Sequence, residues 1–394
     1  MSLSRHSFER SDPFVNAGGL RSVKAWWKSC QVAFTYIGTI VGAGFASGRE
    51  VMQFFTRFGE IGPILIALAS VFFVFVGAKI MLLAAEIKAR SYEDLNKHLF
   101  GERTGKVISQ VMLVVILAVN AVMLAGAGSI FAENWHLGRQ FGMMVTVTIC
   151  YLLLIRGMSG ILAINSLVVP SMAAFAVILL AGTPDFGPMF RAQEAADAPL
   201  LVAWMSPLLY AAFNLTMAQA VLVPLGSQIR DARILKRGAW LGGIGIGLLL
   251  LAGHLIMSAH LPEINRYDIP MAAVARDFGA WIHFSYVFLI FSEILTTMLA
   301  DIYGLTAQIA QKTRLASGSI SAALLMICFL VGQFGFGPLL STLYPLFGFF
   351  SLIWLYLMIR DRTLDKPRPP APPAGPFPRT ADGGQSLPRY GGGK

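Results

Sequence analysis

Three stretches carry the residues that could do chemistry. In FSYVFLIFSEILTTMLADIYG, Glu293, Thr297 and Asp301 recur at i, i+4 and i+8. A helix therefore lines them up as one polar stripe, flanked by Ser292 and Thr296. An acid at the depth of Glu293 is expensive unless paired or protonated, and such acids mark ion paths or binding sites. Two readings stand for it, a carrier of a coupling proton or one half of an ion pair with Arg49. Asp301 falls near the end of its apolar run, where water can reach it. In AFTYIGTIVGAGFASGREVMQFF, Gly38, Gly42, Gly44 and Gly48 fall within eleven residues. Each glycine weakens a helix by about 1 kcal/mol relative to alanine, so unwinding here costs little. Unwound backbone at membrane depth needs protein or ligand to meet its amides and carbonyls. A half-helix restarting near Phe45 would offer free amides and partial positive charge to a carboxylate, with Arg49 one turn along. The competing reading is a small-residue face for close helix packing, on which Arg49 and Glu50 would be costly. In LLVAWMSPLLYAAFNLTMAQAVLVPL, Asn214, Thr216 and Gln219 interrupt an apolar run between Pro207 and Pro224. The expected break is Ala211–Thr216, with a polar helix–helix contact as the alternative. His254, alone in its apolar run, reads as a satisfied interior histidine.

The elements that must position these residues follow from composition. The chain has 394 residues, of which 56% are apolar and 13% charged, with mean hydropathy +0.65. A soluble protein of this size cannot hide so much apolar surface. The fold class is therefore an all-α polytopic membrane protein. Its net charge of +10 sits in tails and short polar loops rather than in an aromatic-interleaved patch, so a nucleic-acid partner is not implied. Cys30, Cys150 and Cys328 are scattered, without a CxxC or Cys/His cluster, so neither a disulfide framework nor a zinc site is indicated. The chain carries no HExxH, GxSxG, Asp-rich diphosphate or Walker A motif, which argues against an enzyme and against nucleotide-driven pumping.

At about 20 apolar residues per crossing, ten spans are expected at 31–56, 62–86, 107–132, 140–156, 159–182, 200–225, 238–260, 280–303, 317–335 and 338–360. With both termini in the cytoplasm, only Arg49, Arg57, Arg139, Arg191, Arg266 and Arg276 of the 31 lysines and arginines fall outside it or within the first span. The first 25 residues or so are polar and read as no secretory signal, so the first span should be retained. The domain reading is a cytoplasmic tail 1–29, a first five-span repeat 30–182, an extracytoplasmic loop 183–199, a second repeat 200–360 and a cytoplasmic tail 361–394. From Lys366 that tail is rich in proline and glycine and reads as disordered. Residues 87–106 read as a short amphipathic helix on the inner surface. The interrupted spans are first and sixth of ten. Five spans separate corresponding elements, and an odd number returns the repeat inverted. That layout points to a transporter site between the two halves.

The stretch Gly38-Thr-Ile-Val-Gly-Ala-Gly-Phe-Ala-Ser-Gly-Arg-Glu50 resembles the first-span signature of the YkvI family of bacterial membrane proteins. That family looks like a branch of the amino acid–polyamine–organocation superfamily, whose members share the LeuT-type five-plus-five inverted repeat with spans 1 and 6 broken. The resemblance covers residues 30–360 or so and implies a bacterial cytoplasmic membrane location. It implies a substrate site of Gly42, Ala43, Gly44 and Phe45, with Ala212, Phe213 and Asn214 opposite and Arg49 as a further contact. It also implies an ion site built from the carbonyls of Gly38 and Val41, the Thr296 and Thr297 hydroxyls and the Glu293 carbonyl. Oxygen-only ligation suits a hard cation. The fifth span holds Asn165 and Ser166 but not the lysine of sodium-independent relatives, which favours Na+ over H+. No other cofactor is implied. The expected function is symport of an amino acid or similar small amphipathic solute by alternating access. The alternative is a permease-like receptor of the germinant-receptor type, and the only partners implied are the small solute and the bilayer.

Overall fold

Backbone surrounded by apolar side chains has no water to bond with, so each long apolar run closes its hydrogen bonds on itself as a helix. The computed structural model describes residues 13–156, 161–183, 199–229, 231–310 and 313–365. Fourteen α-helices follow in order: α1 (Pro13–Ile40), α2 (Ala43–Ala46), α3 (Arg49–Phe54), α4 (Gly62–Ile87), α5 (Tyr92–Phe100), α6 (Glu102–Trp135) and α7 (Arg139–Arg156). After these come α8 (Ile161–Gly182), α9 (Leu200–Gln228), α10 (Ala232–Ala259), α11 (Pro270–Arg276), α12 (Ala280–Ala310), α13 (Ser317–Gly332) and α14 (Phe336–Arg360). The helical body runs to Asp361; the segment from Arg362 is a separate unit in which one turn of 3-10 helix, Thr363–Asp365, is described. The connection at 157–160, most of the loop 183–199, the ends 1–12 and 366–394 and the Asn165 and Ser166 side chains lie outside the described residues.

Six helices, α4, α6, α9, α10, α12 and α14, are long and apolar enough to cross a membrane by length and composition; α7 and α13 are shorter and apolar. Large apolar side chains such as Phe75, Val114, Phe288 and Phe350 are exposed on their outer faces, as a lipid-facing surface requires. Trp135 and Trp281 stand exposed at helix ends, where amphipathic rings suit a headgroup layer. The first helix begins at Pro13, well before the apolar run starts at 31. The amphipathic segment is helical only over Tyr92–Phe100. A capping box on Ser91 and Asp94 starts it, and Gly101 separates it from α6, which takes up Glu102 to Lys106.

The interior of the body is where α4 packs on α9 and α10, α1 on α10, and α14 on α9. Against the sequence expectation, the sixth span is not broken: α9 runs without interruption from Leu200 to Gln228, through both prolines. The reason is local. No glycine occurs between 200 and 225, and the Asn214 amide donates back to the Tyr210 carbonyl one turn earlier at 3.0 Å. Asn214 thus serves the helix instead of opening it, while Gln219 donates across to Met112 Sδ of α6 at 3.0 Å and the Thr216 hydroxyl has no partner among the described residues.

Lys79, near the end of α4, reaches the far end of α14. Its ammonium donates to the carbonyls of Ile359 at 2.8 Å and Asp361 at 2.6 Å. A cation on the last carbonyls satisfies orphan acceptors and complements the helix dipole. Lys79→Met is expected to lower stability by about 1 kcal/mol. Hydrogen exchange should report fraying in the last turn of α14 and leave α9 unchanged; uniform protection there would refute the cap.

Candidate functional site

The site is built around the glycine-rich first span, which is broken twice. At the first break the Val41 amide still makes the helical bond to Ile37 O at 2.7 Å, and the chain then tightens, the Gly42 amide donating to Ile40 O at 3.1 Å. Gly42 is extended (φ −101°, ψ −166°) and caps the single turn α2. In consequence the amides of Ala43, Gly44 and Phe45, and the carbonyls of Gly38, Thr39 and Val41, have no backbone partner among the described residues. A Cβ built on Gly42 would meet open space within 4 Å. The second break is at Ser47–Gly48. Gly48 has φ +81°, which disfavours any side chain, while Ser47 Oγ donates to Gly44 O at 2.8 Å.

Other elements clamp the second break. Tyr286 on α12 donates to Ala46 O at 2.8 Å, and the Met271 amide at the start of α11 donates to Ser47 O at 3.0 Å. Ten residues along α12 from Tyr286, about 15 Å of helix, stand Thr296, buried, and Thr297, half-buried. Thr296 Oγ1 donates to the Glu293 carbonyl at 3.2 Å.

Of the residues expected at the site, Ala43, Gly44, Phe45, Ala212, Phe213, Asn214 and Glu293 are buried. Phe213, however, turns toward α14, with ring centroids 4.6 Å from Tyr344 and 6.2 Å from Phe347. The residues of α9 that touch α3 are Ser206, which donates to Phe54 O at 2.6 Å, and Tyr210. Arg49 does not pair with Glu293; its guanidinium donates to Tyr267 O at 3.2 Å, in the connection between α10 and α11. The Glu293 carboxylate has no hydrogen-bond partner among the described residues. Asp301 is not simply solvated, because Asn120 of α6 donates to its carboxylate at 2.8 Å. His254 is half satisfied, facing Thr56 Oγ1 at 3.2 Å through Nδ1 while Nε2 lacks a partner.

One residue was missed. Glu50, 5% exposed, folds back so that its carboxylate lies against Gly44 and accepts a hydrogen bond from Tyr210 at 3.3 Å, with the Tyr344 hydroxyl also acting on it. Its sequence signal was an acid beside Arg49 inside an apolar span; the two tyrosines come from distant helices.

No family model matches the chain. It is 39% identical over 328 residues to the membrane protein YkvI of Bacillus subtilis (strain 168), covering 82% of this chain and 93% of YkvI. The chain belongs to the YkvI family. The YkvI-family body is also similar to YyaD of the same organism, at 22% identity over 341 residues, 86% of this chain and 99% of YyaD. Among solved structures it resembles MhsT in complex with L-phenylalanine, with a TM-score of 0.62 at 13% identity over 82% of this chain and 88% of that one. The YkvI-family chain thus has the LeuT-type fold and is a membrane protein.

Proposed function

We propose that this protein is a secondary active transporter of an amino acid or related small amphipathic solute, working by alternating access on a Na+ or H+ gradient. The observation that carries the reading is the first break, where three amides and three carbonyls lack backbone partners among the described residues and a Cβ on Gly42 would meet open space. Free amides at a helix start suit a carboxylate, and free carbonyls suit an ammonium or a hard cation. In this reading the substrate lies against Gly42, Ala43, Gly44 and Phe45, with α9 opposite. Na+ would be held by the carbonyls of Gly38, Val41 and Glu293 and by Thr296 and Thr297, which lie about 15 Å down α12 from the Tyr286 clamp. The ten spans form a five-plus-five inverted repeat with both termini cytoplasmic. Among the described residues only the first span is unwound, so α9 contributes a continuous wall and the free backbone groups described come from one half.

The test is thermal shift of the purified full chain against the amino acids, L-phenylalanine included, in sodium and in potassium buffer. A ligand at 100 times its Kd that binds only the folded state adds about 2.7 kcal/mol of stability. A shift with one amino-acid class is the expected result; enlargement by sodium that is lost in Thr296→Val would assign the coupling ion to Na+, and a shift indifferent to sodium would assign it to the proton. No shift with any amino acid would reject this substrate class and favour a sensor.

A further inference from the structure

The Glu50 carboxylate sits where a fixed negative charge is hardest to keep. It is buried, and the groups upon it are two hydroxyls, Tyr210 of α9 at 3.3 Å and Tyr344 of α14. The Tyr210 ring is packed by Phe54, Phe55 and Phe73 at centroid distances of 5.2, 5.1 and 6.0 Å, so the surroundings are apolar. Among the described residues the charged groups of the neighbouring elements turn elsewhere, and Asp301 of α12 acts on Tyr344 rather than on Glu50. Arg49 donates to Tyr267 O, Arg57 lies over the Phe58 ring at 4.6 Å, and His254 of α10 faces Thr56. No cation among the described residues reaches Glu50. A buried carboxylate without a cation costs several kcal/mol unless it takes up a proton.

We propose that Glu50, held by Tyr210 and Tyr344, is a proton-binding site through which substrate movement is coupled to a proton gradient. This rests on the transport reading above and specifies its coupling ion. A tyrosine hydroxyl fits both states of the acid. Ionised, the carboxylate accepts from Tyr210. Protonated, its new O–H can donate to the tyrosine oxygen instead. Because the carboxylate presses on Gly44, beside the free amides, a change in its charge is felt directly where a substrate carboxylate would bind. The proton comes from water on the side to which the site is open and is returned to water on the other. No other group is consumed.

The first readout needs no substrate. Infrared absorption of the full chain in detergent at pH 7 should contain a protonated-carboxyl band that is missing in Glu50→Gln and shifted in Tyr210→Phe, as loss of a hydrogen bond to it requires. If wild type and Glu50→Gln superimpose in that region and the variant loses an ionised-carboxylate band instead, the site is charged and the proposal is overturned. The second readout uses proteoliposomes with L-phenylalanine as probe. Glu50→Gln, fixed in the neutral form, should lose both accumulation driven by an imposed pH gradient and the pH dependence of counterflow exchange. Accumulation retained by Glu50→Gln would overturn the coupling role. A wild type without counterflow for any amino acid would remove the transport reading, and the coupling claim with it. The infrared result would still decide whether Glu50 holds a proton.

Discussion

Gly44→Val is expected to abolish ligand binding in a chain that still purifies folded, while Gly42→Ala, two residues away, weakens it more gently. A Cβ on Gly44 would run into the Glu50 carboxylate, with Cδ at 2.6 Å and Cγ at 2.9 Å as well. The obstacle is the end of a flexible side chain, so the backbone can survive by expelling Glu50 from Tyr210 and Tyr344. Overpacking of this kind costs about 1–3 kcal/mol of stability. The binding loss is larger, because the displaced carboxylate and the valine methyls both enter the space before the free amides. A fall of at least about a hundredfold in affinity is expected, or about 2.8 kcal/mol. Gly42 is the contrast. Its φ and ψ are open to any residue and its Cβ would meet open space, so alanine leaves the fold unchanged. One methyl in that space should cost about tenfold in affinity. The measurement is thermal shift with whichever amino acid stabilises the wild type, beside circular dichroism of each variant. A wild-type shift in folded Gly44→Val would refute the broken-helix site.

The contrast also shows which parts of the site were legible in the sequence. The break in the first span was readable because its cause is local: four glycines in eleven residues lower the cost of unwinding wherever the chain folds. The long helices were readable for a similar reason, since apolar length alone forces backbone groups to satisfy one another. The break expected in the sixth span failed because a polar residue in an apolar run has two outlets. Asn214 took the intrahelical one, on the Tyr210 carbonyl, and without a nearby glycine the two prolines alone did not open the helix. Glu50 was legible only as a charge beside Arg49. Its role depends on tyrosines brought from α9 and α14, and on Arg49 turning away to Tyr267. Asp301 taught the same lesson, because its partner Asn120 lies 181 residues earlier. Residue type announced these acids, but their partners are a property of packing.

Glu133→Ala is expected to loosen the connection between α10 and α12 more than any other single change on that face. The Glu133 carboxylate, at the end of α6, accepts the Asp268 amide at 2.6 Å and the Ile269 amide at 3.3 Å. Its carbonyl accepts from Arg276 at 2.6 Å. Asp268 is tied in turn to Ser129 at 2.8 Å and to Arg139 at 3.2 Å. Removing the carboxylate leaves two amides without an acceptor, and a charge-assisted bond is worth about 1.5–3 kcal/mol. Glu133 is only half-buried, so water recovers part of this, and a net loss of about 2 kcal/mol corresponds to roughly thirtyfold more frequent opening. Amide exchange over residues 267–276 should accelerate by that factor while α9 and α14 keep their protection. Glu133→Gln, which retains an acceptor oxygen, should show a smaller change. Unaltered exchange in Glu133→Ala would mean that the connection is held by its own turns. The consequence reaches the site because this same connection clamps the second break, through Met271 on Ser47 O and Tyr267 on Arg49. In an alternating-access cycle a cover that opens more often on one side admits solute faster from that side and holds it less well. Glu133→Ala should therefore raise the dissociation rate of whichever ligand stabilises the wild type, leaving the Gly42–Gly44 backbone untouched.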